Sequence, residues 1–304
     1  MVENIKTATF VISSNTYPAV RNVRMQKKLF TDQANENREF YWYRQGTEKQ
    51  LLGKESNLIG NDLFLNVKDD TLSMGKKTIM AFDWALKNID FDFFIRPTPS
   101  SYVNYLNLES YIRTNFINMD IVYGGKIQET NNKFGKKIKF VSGSTLILSK
   151  KCIEIVLEHE NDWDHDYWDD VGLAILLEKA GVNPSGGDRF DVTGNPYKQN
   201  IDLTYYQYRC RSDNHYGYPR VIEAHVMSSV HRLFNEKKLG KIKKELNSFL
   251  IELLKLLYVY QFGWKSFTFF RGLLKFILPK VIYEYLKRVT SQKIDSFKHK
   301  RFKT

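Results

Sequence analysis

The chain has 304 residues, with 46 Lys+Arg against 34 Asp+Glu, a formal net charge of +12, and 42% hydrophobic and 14% aromatic residues. At roughly 100–200 residues per domain, this is one large domain or two small ones around a proper core. Its 18 Tyr, 21 Phe and 5 Trp, with only 7 Pro and 17 Gly, exclude disordered, collagen-like and low-complexity chains.

In chain order, Thr7–Ser13 (TATFVIS) reads as a first β-strand ending in the polar turn Ser13-Ser14-Asn15. Val20–Phe30 has helical spacing and carries Arg21, Arg24, Lys27 and Lys28. Glu39–Tyr43 and Asp62–Val67 are predicted strands, and Thr71–Asn88 a helix with Met74, Thr78, Ala81, Phe82 and Ala85 on one face. Phe91–Arg96 is a nearly continuous apolar strand of the kind buried on both sides of a parallel sheet. Pro97 and Pro99 lack amide donors, so Pro97–Ser101 is expected to be a loop. Asn107–Asn115 is predicted as a helix, Ile121–Tyr123 and Lys139–Leu148 as strands, and Ser149–Glu158 and Val171–Ala180 as helices. This alternation predicts an α/β fold, a mostly parallel sheet sandwiched by helices. Ligands of such sheets bind at the carboxyl ends of the strands, which singles out the loops after Ile12, Ile95 and Leu148.

The charge is not evenly spread. Residues 236–304 hold 17 Lys+Arg against 5 Asp+Glu, so this segment carries +12 while residues 1–235 are neutral. It is also apolar, and Leu246, Leu250, Leu253, Leu254 and Leu257 fall at helical spacing. Glu252, Lys255, Lys265, Arg271, Lys275 and Lys280 interrupt the run of about 20 apolar residues that a spanning helix needs, and Pro279 should break the second half. Apolar faces edged with Lys and Arg suit an anionic membrane surface, which is the expectation for this tail. Packing on the domain with a solvated basic face is the competing reading, and nucleic-acid binding a weaker one that is not expected. Cys152 and Cys210 lack zinc or CxxC spacing, and the N-terminus lacks a secretory pattern. A reduced, cytoplasmic protein peripheral at the membrane is therefore expected, with residues 1–235 as its main domain.

No GxGxxG, P-loop, HExxH or nucleophile elbow is present. Four ordered segments remain. They are Val11-Ile12-Ser13-Ser14 with Arg21-Asn22-Val23-Arg24; Asp62–Asp70 leading into Lys76-Lys77-Thr78 and Trp84; Phe91–Arg96 with Tyr102-Val103-Asn104; and Val141–Ser149 followed by Trp168-Asp169-Asp170-Val171. Together they resemble the fringe-like and β1,3-galactosyltransferase family of GT-A glycosyltransferases, over residues 7–235. The resemblance implies a GT-A (Rossmann-like) fold and inverting transfer of a sugar from a nucleotide-diphosphate sugar, such as a UDP-sugar, to a hydroxyl of a glycan or lipid-linked saccharide. It puts Ser13, Ser14, Arg21, Arg24, Lys77, Arg96, Thr98, Ser100 and Gly143 at the nucleotide sugar.

Where that family carries a metal-binding Asp triplet, this sequence has Thr98-Pro99-Ser100. Hard cations want carboxylate oxygens, so no metal cofactor is expected to be required. Either basic side chains neutralise the diphosphate or the chain is a non-catalytic glycan-binding or scaffold protein. Arg21, Arg24, Lys76, Lys77 and Arg96 are the candidate cations, because guanidinium groups grip phosphate bidentately; a solvated basic helix face is the alternative for each. Arg209, Arg211 and His225, in the closing stretch, are further phosphate candidates.

The acids Asp162, Asp164, Asp166, Asp169 and Asp170, with His165, precede a helix that two of them could cap. A mixed Asp/His metal site is a second reading. By the resemblance, Asp170 is the general base with Asp169 beside it, a role a carboxylate near an attacking hydroxyl can fill. Trp163, Tyr167 and Trp168 either pack in the core or stack on acceptor sugar rings.

Overall fold

Six buried residues of Thr7–Ile12 make β1, the central strand of the computed structural model, which describes residues 4–16, 18–211, 220–235 and 241–259. Because side chains alternate across a strand, Ala8, Phe10 and Ile12 enter one apolar layer, and Thr9 faces the other, where its hydroxyl bonds Tyr105 Oη at 2.7 Å. Helix α1 (Ala19–Thr31) follows, burying Val23, Gln26, Leu29 and Phe30 at helical spacing. Then come β2 (Arg38–Gln45), the short α2 (Glu48–Leu51), β3 (Ser56–Ile59) and β4 (Asp62–Leu65). Helix α3 (Met74–Asn88) leads to β5 (Phe93–Pro97) and β6 (Ser101–Val103). Helix α4 (Tyr105–Asn115) starts where Asn104 Oδ1 accepts from Asn107 N at 3.0 Å.

After β7 (Tyr123–Gly125), the strands β8 (Ile127–Asn131) and β9 (Lys137–Val141) form an antiparallel hairpin whose turn is eased by Gly135 at φ 79°. β10 (Thr145–Ser149) runs into α5 (Lys150–Glu158), capped by Ser149. Helix α6 (Asp169–Lys179) begins with two acids in its first turn, where they complement the helix dipole. The short β11 (Ser185–Gly186), β12 (Phe190–Asp191) and β13 (Gln207–Arg209) precede α7 (Glu223–Asn235) and α8 (Lys241–Val259).

The main sheet has the order β11-β7-β10-β5-β1-β2-β4-β3, with β4, β2, β1 and β5 parallel. One face carries Phe10, stacked on Phe94 at 4.7 Å and on Tyr41 at 4.8 Å, with Phe82 edge-on to Phe94. On the other face Phe30, Phe40 and Tyr105 pack edge to face. The expected α/β sandwich with a mostly parallel sheet is thus the fold, with aromatic contacts supplying packing energy on both faces.

Three local expectations change. Lys139–Leu148 is two strands, not one: β9 pairs in the hairpin and β10 in the main sheet, with Ser142-Gly143-Ser144 between them. The stretch after Ile95 keeps strand structure, because β5 runs through Pro97 and β6 pairs with β13. β10 is antiparallel to β5, with Thr145 opposite Pro97 and Ser149 opposite Phe93. The loop after Leu148 therefore lies at the opposite edge from the carboxyl end of β5, and it is the residues before β10 that lie at that end.

Contacts divide the chain into units Met1–Leu253 and Leu254–Thr304. Within the first, Asn195 Nδ2 donates to Ser248 O at 2.9 Å, Ile251 and Leu253 are buried, and Leu246 and Phe249 are exposed. Most of the basic tail, residues 260–304, lies outside the described residues, as does the predicted break at Pro279.

Candidate active site

At the carboxyl end of β5 the chain turns through Thr98, Ser100 and Ser101 beside the segment before β10. Here Thr98 N donates to Ser144 O at 3.1 Å and Ser101 Oγ to Ser144 O at 2.6 Å. These loops, the hairpin and the start of α6 enclose a cleft of about 460 Å³. Among the sequence-predicted residues it brings together Arg96, Thr98, Ser100, Gly143, Trp168, Asp169, Asp170, Arg209 and Arg211.

Arg96, next to the last residue of the buried strand β5, has 1% of its surface exposed. Its Nη2 forms an ion pair with Asp169 Oδ2, its Nε donates to Tyr43 Oη at 3.1 Å and its Nη1 to Gly143 O at 3.3 Å. Buried charges persist when paired and hydrogen-bonded, and each nitrogen of this guanidinium has a partner. It therefore forms the floor of the cleft and fixes Asp169. The neighbouring Asp170 is set differently: Oδ2 accepts from Gly143 N at 2.8 Å and Oδ1 from Val171 N at 3.0 Å. Gly143 allows this approach, because a Cβ there would stand 3.0 Å from Arg96 Nη1 and 3.1 Å from Asp170 Oδ2.

The hydroxyls of Thr98 and Ser100 are hydrogen-bonded to protein. Thr98 Oγ1 lies 3.0 Å from Ser101 Oγ and 3.5 Å from Ser100 Oγ. A set of hydroxyls, with Asp169 already held by Arg96, does not fit a hard divalent cation. Among the described residues no group of three or more His, Cys, Asp or Glu is arranged to hold a metal. The acidic cluster disperses instead. Asp162 pairs with Lys179 at 3.4 Å, while Asp164 and Asp166 pair with Lys133 at 3.4 and 3.6 Å.

Several predicted residues stand outside this cleft. Ser13 is buried and donates to Tyr43 O at 3.0 Å, and Ser14 bonds Thr16 at 2.6 Å. Arg24 and Lys76 lie exposed on their helices. Lys77 is buried in an ion pair with Asp69 at 2.9 Å, and Asp69 also accepts from Asn15 N and Gln45 N, so this pair ties together the ends of β1 and β2. Arg21 Nη2 meets His225 Nε2 at 2.6 Å, and burial first, then the Arg21 charge, holds the His225 pKa down to about 4. Trp163 is a core residue, buried against Gly75 and Gly172, and Tyr167 packs on the core and accepts from Lys133 N. Of the three aromatics, Trp168, 60% exposed, borders the cleft.

Sequence reasoning missed Gln128, Thr130 and Phe140 of the hairpin, and Ser142 and Ser144 on either side of Gly143, all of which line the cleft. The Asn132–Lys136 turn around Gly135 was a readable hairpin signal. The two serines stand in the quoted Val141–Ser149 segment.

No family model and no curated protein matches the chain. Among solved structures it is similar to a glycosyltransferase involved in the glycosylation of the major capsid of PBCV-1, at 12% identity and TM-score 0.46, covering 73% of this chain and 99% of that one. It is also similar to the galactosyltransferase LgtC in complex with donor and acceptor sugar analogs (10% identity, TM-score 0.43, 78% of this chain and 99% of that one). A third likeness is to the inositol-1-phosphate CTP transferase from T. maritima (10% identity, TM-score 0.43, 76% and 97%). All three scores lie below 0.5, and the functional reading stands on the residues of this chain.

Proposed function

We propose that this protein is a glycosyltransferase that moves a sugar from a nucleotide-diphosphate sugar to a hydroxyl of a glycan or lipid-linked saccharide, with inversion and with Asp170 as general base. The observation that carries the reading is the placement of Asp170 in one cleft with Arg209 and Arg211, at the carboxyl end of β5. A carboxylate held by two backbone amides can take the proton of an attacking hydroxyl as the new C–O bond forms. The leaving diphosphate then carries the negative charge, which cationic side chains stabilise without a metal. Asp169 is held by Arg96, so one carboxylate of the pair serves the proton transfer; a single displacement of this kind inverts the anomeric centre. Trp168 at the rim is suited to stacking on an acceptor sugar.

The rival reading, a glycan-binding or scaffold protein, is favoured by the hydroxyls of Thr98 and Ser100 in place of acids. Incubation with nucleotide sugars separates the two. Transfer, or slow release of free sugar, supports the enzyme; saturable glycan binding with neither activity supports the scaffold.

The basic, apolar segment from residue 236 supports placement at an anionic membrane surface, with Leu246 and Phe249 exposed on α8. Among the described residues no helix is long and apolar enough to cross a membrane. Sedimentation with anionic vesicles should pellet the full chain, and loss of residues 236–304 should abolish it; equal pelleting of both forms would refute this placement.

A further inference from the structure

Behind the cleft lies a polar network that the transfer chemistry does not use. Arg189, with 6% of its side chain exposed, donates from Nη1 to Ser142 Oγ at 2.9 Å and to Ser144 Oγ at 3.1 Å, and from Nη2 to Asp191 Oδ2 at 3.1 Å. Gln207, fully buried, donates from Nε2 to Ser144 Oγ at 2.7 Å. A serine hydroxyl has two acceptor lone pairs and one proton. Ser144 Oγ accepts from Arg189 and Gln207, so its lone pairs are filled and it does not accept from Ser142 Oγ, 3.2 Å away. Ser142 Oγ accepts from Arg189 Nη1 at 2.9 Å and from Ser144 N at 3.5 Å, which fills its lone pairs and leaves its own proton for the cleft that it lines.

We infer that the Ser142 hydroxyl is a fixed, polarised hydrogen-bond donor for an oxygen of the donor's diphosphate, with Arg189 and Gln207 as positioning residues behind it. A hydroxyl that can only donate pairs with an acceptor oxygen and rejects a ligand group that can only donate, such as an N–H; an anionic oxygen makes the stronger bond. A cationic donor at the head of the chain strengthens each bond along it. Arg209 and Arg211 line the same cleft and add positive charge. Phosphate and carboxylate oxygens share the required chemistry. The diphosphate is favoured because Gly143, the next residue, holds Asp170 through its amide at 2.8 Å, so the donor hydroxyl and the base stand on neighbouring groups. The identity of the anion rests on the sugar-transfer reading.

Calorimetric titration of the full chain, Ser142→Ala and Ser144→Ala with inorganic pyrophosphate, UDP, uridine and glucuronate tests this. Ser142→Ala should bind pyrophosphate and UDP at least about tenfold more weakly, as for loss of a hydrogen bond to a charged group, with uridine affinity unchanged. Ser144→Ala should lose clearly less, because Arg189 still reaches Ser142. Equal UDP and pyrophosphate affinity in wild type and Ser142→Ala overturns the inference. So do equal losses in both variants, the mark of a merely structural role, and so does a loss confined to glucuronate. A wild type that binds no pyrophosphate overturns it too. Ser142-dependent pyrophosphate binding without any sugar transfer or donor hydrolysis would uphold the donor hydroxyl and remove the transferase reading. Active transfer with Ser142-independent UDP binding would do the reverse.

Discussion

The guanidinium of Arg96 closes on the carboxylate of Asp169 across 73 residues of chain. One partner is the penultimate residue of β5 and the other opens α6, so the pair pins the first turn of that helix to the carboxyl edge of the sheet. Asp170, the next residue, is thereby brought to the amide of Gly143. Arg96 is thus a positioning residue for the acid pair, where sequence chemistry suggested a phosphate ligand.

Breaking this pair from one side should be costly. Arg96→Met and Asp169→Leu should each destabilise the fold by about 3–5 kcal/mol, since each leaves a buried charge without its partner. The double variant should lose far less than the sum of the two. Urea unfolding of the four proteins of this cycle measures the coupling directly.

Asp170→Asn keeps an oxygen for the Gly143 amide while removing the carboxylate proposed as the base. Turnover should fall at least about a hundredfold, in line with general-base contributions of roughly 10²–10⁴. Nucleotide affinity and the unfolding midpoint should barely move. Steady-state rates beside calorimetric Kd values check this, and a wild-type rate would remove Asp170 from the mechanism.

Gly143→Ala places a methyl group 3.1 Å from Asp170 Oδ2 and 3.3 Å from its Cβ. These are tight contacts that the carboxylate must yield to by a few tenths of an ångström. A displacement of about 1 Å can cost roughly a hundredfold, so a drop in turnover of about tenfold is expected. Single-turnover assays would detect it, and the thermal midpoint should change little by comparison.

Acid should weaken the fold through His225. Its pKa is lowered to about 4 by burial, and then by Arg21 beside it. The unfolded chain, with an ordinary His pKa of about 6.5, therefore binds the proton first as pH falls. Stability is fully present above that value and is lost progressively between about pH 6.5 and pH 4. His231, whose pKa is also lowered by burial, adds to the same slope. His225→Gln should flatten the fall in thermal midpoint across this window; an unchanged slope would exclude the residue as its source.

Chelation should leave nucleotide binding largely intact, since Thr98 and Ser100 offer hydroxyls where a hard cation wants carboxylates. Titration of UDP with and without EDTA is the measurement. Complete loss of binding would show that acids elsewhere in the chain hold a metal.

Periodicity alone determined much of the scaffold. The runs that became β1, α1, α3 and β5 are legible because apolar spacing follows directly from which face each element buries. A helix near Asp170 was also visible, although it starts at Asp169 rather than Val171 and so takes both acids into its first turn. Tertiary structure decided the rest. Whether Lys139–Leu148 is one strand or two depends on which neighbours accept its backbone, and β9 and β10 found different ones. The antiparallel direction of β10 then carried Ser142–Ser144, rather than the loop after Leu148, to the carboxyl edge of β5. Arg96, Lys77 and Arg21 look alike as basic residues in a sequence. Their partners Asp169, Asp69 and His225 lie 73, 8 and 204 residues away, and only folding shows which group each basic side chain meets.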